Sequence, residues 1–226
     1  MISLDSDIVR MNFEMKNNGA KYGFAHYNIQ ENVLQLLHER YGNNLNYEEV
    51  HTKVKLLNLF YSTNLLATSQ MSKHIIGIKE FDRRLREGDT LLVKEIAMLN
   101  GRDNYSFATK YCALHKPDLF PIFDSIVASV FVDLFKQGYF RPRYKFSRTN
   151  SIDMGEYNAS TFYYSILRDY PNYVSFYNYF KNVFKISSSI SYREIDFYIW
   201  GSCKISQVES QIETLISDDL RKKFNR

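Results

Sequence analysis

Apolar side chains recur three and four positions apart along most of this chain, and glycine or asparagine closes one run after another. The stretch Ile29–Tyr41 sets Val33, Leu36 and Leu37 at helical spacing and stops at Gly42-Asn43-Asn44. Asn46 then reads as a helix N-cap, with Glu49 three residues on as the other half of a capping box. In the helix expected over Val50–Leu65, the side chains of Val54, Leu57, Phe60 and Tyr61 share a face. Ser72–Arg86 reads as one amphipathic helix ended by Gly88-Asp89, and Thr90–Leu99 as another closed by Asn100-Gly101. Further helices are expected at Phe107–Leu114, Ser125–Gln137, Glu156–Asp169, Asn172–Phe184, Arg193–Gly201 and Gln207–Ile216. By propensity alone, Tyr173–Phe184 and Tyr192–Trp200 suit strands, being rich in aromatic and β-branched residues. The spacing of Tyr173, Phe176, Tyr177 and Phe180 favours helix. The pattern predicts an all-α fold.

A chain of 226 residues suits one domain, here expected to be two-lobed, with the polar stretch Ser147–Asn158 as the loop between lobes. No apolar run approaches the roughly 18 residues needed to cross a bilayer. The N-terminus lacks a basic-then-apolar leader, and the two cysteines, Cys112 and Cys203, fit a reducing compartment. A cytoplasmic protein follows as the expectation, with no membrane partner. Neither the cysteines nor the five histidines show metal-ligand spacing, and no glycine-rich phosphate loop is present, so no metal and no cofactor are expected. The aromatic share is high at 16%, and most of these rings read as core. A few are candidates to stack on a base, an interaction worth roughly 1–3 kcal/mol each. The net charge of +4 suits a polyanion.

One stretch carries chemistry. In Ser106–Val127, Lys110 precedes Asp124 by fourteen residues, with the Lys116-Pro117 corner and Pro121 between them. A lysine becomes a nucleophile when desolvation or nearby positive charge lowers its pKa. Phe107, Tyr111 and Leu114 give Lys110 partly apolar neighbours. A carboxylate beside it orients the attacking group or stabilises the cationic sugar left by a broken glycosidic bond. Asp124 also reads as a helix N-cap.

This segment, with its lysine, proline turn and capping aspartate, resembles the helix-hairpin-helix DNA glycosylases, in particular the 8-oxoguanine DNA glycosylase-like branch. In that family the lysine stands at the start of the second hairpin helix. The resemblance implies that Lys110 is the Schiff-base lysine and Asp124 the catalytic aspartate. Upstream, Ser62, Thr63 and Asn64 resemble the family's Ser-Ser-Asn motif, which implies that Asn64 faces the base left unpaired by flipping. The stretch LNGRDNYSFATK takes the hairpin's place, so Gly101, Arg102 and Ser106 become the implied phosphate contacts.

Two other features read as nucleic-acid contacts. His115 and Lys116 lie in the turn, His115 reading as a surface residue. Gly138–Arg148 interleaves Arg141, Arg143, Lys145 and Arg148 with Tyr139, Phe140, Tyr144 and Phe146. Trp200 reads as a core anchor. The expected function is DNA repair by a monomer that excises a damaged base, a hydrolase with lyase activity if an imine forms. The alternative is a non-catalytic DNA-binding or protein-interaction module on the same scaffold.

Overall fold

Most of the expected helices are present in the computed structural model, which describes residues 4–18, 25–140, 143–144, 152–153 and 157–206. The chain opens with α1 (Leu4–Asn18), α2 (Ala25–Arg40) and α3 (Tyr47–Tyr61). Asn46 begins α3, its Oδ1 accepting from the N–H groups of Glu48 at 2.8 Å and Glu49 at 3.4 Å. Ser62 ends it in the left-handed region, its N–H bonded to the Asn58 carbonyl.

Two expected helices are interrupted. Ser72–Arg86 is split into α4 (Thr68–Gly77) and α5 (Phe81–Glu87). Ile78 is extended and Glu80 takes a φ of 55° before α5, a backbone that no uninterrupted helix contains. Thr90–Leu99 is helical only as α6 (Leu91–Ala97). Met98–Leu99 (β1) then pairs antiparallel with Arg102–Asp103 (β2). Asn100 and Gly101, read from the sequence as a helix stop, are the hairpin turn, with φ of 53° and 71°. Positive φ at both central residues is what the type I′ form of a two-residue hairpin requires.

The chain continues with α7 (Tyr105–His115), α8 (Ser125–Lys136) and a hairpin of Arg143–Tyr144 (β3) with Ile152–Asp153 (β4). Part of the expected interlobe loop is therefore paired backbone, and residues 147–151 and 154–156 lie outside the described residues. The helix expected over Glu156–Asp169 is α9 (Ala159–Phe162) running into a π-helical turn at Tyr163–Leu167. Asp169 caps α10 (Tyr170–Val183), and residues 192–206 form α11. The helix expected at Gln207–Ile216 lies outside the described residues. The described residues are thus helical apart from the two short hairpins and connecting turns, so the all-α expectation holds. No described helix is long and apolar enough to cross a membrane.

One hydrophobic cluster draws on every helix from Ile8 in α1 to Ile199 in α11. Aromatic rings dominate its C-terminal part. Phe131 meets Phe176, Tyr177 and Phe180 edge-on at 5.1, 5.4 and 5.1 Å between centroids. Tyr173, Phe176, Tyr177 and Phe180 are all buried on one face of α10, which explains why ring spacing outweighs strand propensity there. Most of the aromatic excess is core.

Candidate active site

The site begins with α7, which is buried on almost every side, including Thr109, Lys110 and His115. A helix so enclosed fixes whatever polar groups it carries. The chain leaves it at Lys116, turns through Pro117, and lays Phe120, Pro121, Ile122 and Phe123 into the core. Hydroxyls hold this corner down. Tyr170 donates to the Pro121 carbonyl at 2.9 Å, and Tyr173 to that of Ile122 at 2.8 Å. Thr109 Oγ1 accepts from the Phe123 N–H at 3.0 Å. The corner therefore delivers Asp124 to one position, where its Oδ1 accepts from the Ile126 N–H at 2.8 Å and caps α8.

Across from that cap lies Lys110, 4% exposed, in the second turn of α7 rather than at the helix start. Its Nζ donates to Ser106 Oγ at 2.6 Å and to the Phe123 carbonyl at 3.2 Å. Asp124 Oδ2 stands 3.9 Å away. The Tyr61 ring lies 5.6 Å from the amine. Burial pushes the Lys110 pKa down, and Arg193 adds to that, while Asp124 and then Asp196 oppose it. A cavity of about 410 Å³ opens beside the pair, and Tyr61, Ser62, Lys110, Asp124, Asp196 and Trp200 are among the residues lining it. That size falls in the ~300–1,000 Å³ range of small-molecule sites.

Asp196 is the acid that the sequence reading misses. It is 5% exposed on α11. Its Oδ2 accepts from Arg193 Nη1 at 3.1 Å, and its Oδ1 has no hydrogen-bond partner among the described residues. Burial raises its pKa to about 7, against the pull of Arg193. Arg193 also reaches Glu31 at 2.5 Å and the Tyr61 hydroxyl at 3.1 Å, joining α11 to α2 and α3. A second cavity of about 720 Å³ shares Tyr61, Ile122, Arg193 and Phe197 with the first. Among the described residues, no group of three or more His, Cys, Asp or Glu side chains is placed to hold a metal ion.

The other expected site residues fare unequally. Asn64, exposed at φ 56°, sits two residues beyond Ser62 of the cavity wall. Its loop is clamped by Asn58, which donates to the Leu65 carbonyl at 3.0 Å and accepts from Thr63 Oγ1 at 2.8 Å. Gly101 and Arg102 are exposed on the β1–β2 hairpin. Ser106 is half-buried. Its hydroxyl is committed to Lys110 and to the Phe123 carbonyl at 3.2 Å. His115 is not on the surface but 3% exposed, its Nε2 3.5 Å from Lys53 Nζ, because the last turn of α7 still faces the core. Lys116 caps the end of α7 and is partly exposed. Trp200 packs against the core and also lines the cavity with Lys110. In the basic stretch, Phe140 is buried against Phe162 and Phe176. Arg141, Lys145 and Arg148, and the side chain of Arg143, lie outside the described residues.

Residues 9–119 match the family model HI_0787_N, described as an N-terminal domain. That match takes in Asn64 and Lys110 and ends before Asp124 and Asp196. An uncharacterized protein of Haemophilus influenzae is 34% identical over 157 residues, a match covering 68% of this chain and 65% of that protein. The chain thus spans under two thirds of that relative's length. No solved structure matches the chain.

Proposed function

We propose that the protein is a DNA base-excision glycosylase whose nucleophile is Lys110. One observation carries the reading: a buried amine and a helix-capping carboxylate 3.9 Å apart line one cavity. Everting a nucleotide costs a few kcal/mol of stacking, which aromatic walls offset. Tyr61, Phe60 and Trp200 supply rings in this cavity. Asn64 on its clamped loop is the side chain to face the unpaired partner base. Gly101 and Arg102 on the exposed hairpin are the phosphate contacts, and the net charge of +4 favours the approach of DNA.

The chemistry follows from the donor set. Lowering the Lys110 pKa increases the fraction of neutral amine. The Nζ lone pair forms a bond to C1′ of the deoxyribose as the glycosidic electron pair leaves with the base. Positive charge that develops on the sugar faces Asp124. Opening of the sugar ring then gives an imine, from which elimination cleaves the strand, so the reading includes lyase activity. Amine catalysis of this kind requires neither a metal nor an organic cofactor.

Borohydride reduces an imine to a stable amine and tests the reading directly. The protein is incubated with duplexes carrying either one abasic site or one damaged base from a lesion panel. A covalent protein–DNA adduct that Lys110→Ala abolishes is the expected result. No adduct with any duplex, or an unchanged adduct in Lys110→Ala, defeats it, and binding without an adduct leaves a non-catalytic module.

A further inference from the structure

Asp196 lines the same cavity as Lys110 and Asp124 and has no task in the chemistry above. The two acids are built differently. Asp124 is about a quarter exposed, caps a helix and stands at ion-pair distance from the amine. A helix N-terminus favours negative charge at that place. Asp196 is shut in the protein, and its Oδ1 lacks any partner among the described residues. A buried carboxyl oxygen left without a partner costs free energy unless it carries a proton or meets a ligand group.

We propose that Asp196 is the general acid of the reaction, handing its proton to the departing base while Asp124 faces the sugar cation and Lys110 forms the new bond. The proposal rests on the reading of the site as a lysine glycosylase. In the first step the Lys110 nitrogen bonds to C1′, the C1′–N glycosidic pair leaves with the base, and that base nitrogen takes the Asp196 proton. Asp196 is then a carboxylate and the attacking nitrogen a secondary ammonium. One ammonium proton passes to O4′ as the nitrogen lone pair opens the C1′–O4′ bond, giving the protonated imine and a 4′-hydroxyl, and solvent water later reprotonates Asp196. A carboxyl group held away from water in this way is how a site keeps a general acid protonated near neutral pH.

The groups facing Asp196 fit such a role. Arg193 and Lys204 lie on its own helix, Glu31 on α2, Tyr61 on α3, Lys110 on α7, Asp124 on α8, and Tyr173 and Tyr177 on α10. Burial outweighs the opposing pull of Arg193 and Lys110, and a substantial share of Asp196 is protonated near neutrality.

Two substrates separate this role from a structural one. A duplex whose site is already abasic has no base to protonate, whereas one with an intact damaged base does. In Asp196→Asn, base release is expected to fall at least ~100-fold, within the range of general acid catalysis. Borohydride trapping on the abasic duplex is expected to stay near the wild-type rate. Equal loss of both steps, or unchanged base release, overturns the proposal. Wild-type protein that traps abasic DNA but frees no base from the panel also overturns it, while leaving Lys110 as the nucleophile. Failure of both steps in the wild type removes the glycosylase reading itself. Should Asp196→Asn not fold by circular dichroism, the wild-type pH profile decides. Base release must decline as pH passes about 7 while abasic trapping does not, and parallel profiles sink the proposal.

Discussion

Lys53 and Lys110 are both shut away from water, one in α3 and one in α7, yet their amines are held in opposite ways. Lys53 is 0% exposed, and its Nζ donates to three neutral oxygens. These are the carbonyls of Tyr41 at 2.9 Å and Asn43 at 2.6 Å, and Asn44 Oδ1 at 2.8 Å. The Asn44 amide is in turn fixed by Asp82 at 2.6 Å and by the Tyr111 hydroxyl at 2.5 Å. All three ammonium protons have an acceptor, and Lys53 lines neither cavity. Lys110 has two neutral acceptors, a carboxylate at 3.9 Å and an open cavity. Burial depresses both pKa values, that of Lys53 to about 8. A perturbed lysine is therefore not by itself a nucleophile. An amine saturated with acceptors staples a loop, whereas one that lines a cavity beside a carboxylate has room for a reacting atom.

Removing each amine in turn puts the largest demand on that contrast. Lys110→Met is expected to abolish the borohydride-trapped adduct completely. Lys53→Met is expected to leave trapping per folded molecule at the wild-type level. Loss of trapping in a folded Lys53→Met protein would mean that both lysines belong to one reacting system.

The next effect isolates charge from capping. Asn caps a helix about as well as Asp, so Asp124→Asn retains the bond to the Ile126 N–H and changes stability by under about 0.5 kcal/mol. It removes the negative charge beside Lys110, and glycosidic cleavage is expected to slow by ~10²–10⁴-fold. A variant that cleaves normally would reduce Asp124 to a cap.

Stability sharpens the other side of the comparison. Lys53→Met strands the Tyr41 and Asn43 carbonyls, while Asn44 Oδ1 keeps the Tyr111 hydroxyl. At about 1–3 kcal/mol for each group left unsatisfied, the loss is about 2 kcal/mol or more. Thermal unfolding should drop by about 4–8 °C in a chain of this size. The sign of the pH effect is opposite to that of an ordinary ion pair. Folded Lys53 releases its proton near pH 8, below the 10.5 of an unfolded lysine, so the unfolded chain holds more protons between those values. Wild-type stability relative to Lys53→Met must then rise as pH climbs from about 8, by at most ~1.4 kcal/mol per unit. Buried tyrosines away from Lys53, such as Tyr170, have raised pKa values in both proteins and cancel in the difference. A flat or falling difference in urea midpoints would show that the Lys53 site is not desolvated.

The same contrast explains what the sequence does and does not disclose. Lys110 stands out because a proline corner and a capping acid follow it, and those local signals survive into the fold. Lys53 carries no such signal. It lies in a run of Val50, Val54 and Leu57, two residues from Lys55, which is exposed, and only the approach of the Tyr41–Asn44 backbone makes it a staple. Asp196 is hidden for a related reason. Ile195, Phe197 and Ile199 around it spell a core helix, and its carboxyl joins Lys110 only through the packing of α11 against the rest of the molecule. The hairpin turn was the opposite case. Asn100-Gly101 signals a two-residue turn as well as a helix stop, and the antiparallel pairing of Met98–Leu99 with Arg102–Asp103 decides between them.

The smallest expected effect asks whether α3 couples the two lysine sites, since it holds Lys53 in its second turn and Tyr61 at its end. Those residues are separated by about 12 Å along the helix axis at 1.5 Å per residue. Asn46→Ala removes the acceptor for the Glu48 and Glu49 N–H groups and should cost about 1 kcal/mol, or about 2–4 °C in unfolding temperature. The first turn frays first, so the loss falls on the Lys53 end, where the helix is held by its cap and its staple. Tyr61 is anchored from the far side by Arg193 and Glu31, bonds that the cap does not touch. Borohydride trapping should therefore stay unchanged in Asn46→Ala below its unfolding transition. A fall in trapping that exceeds the fall in folded fraction would mean that strain at the α3 start reaches the cavity wall, and the two buried amines would have to be treated as one coupled site.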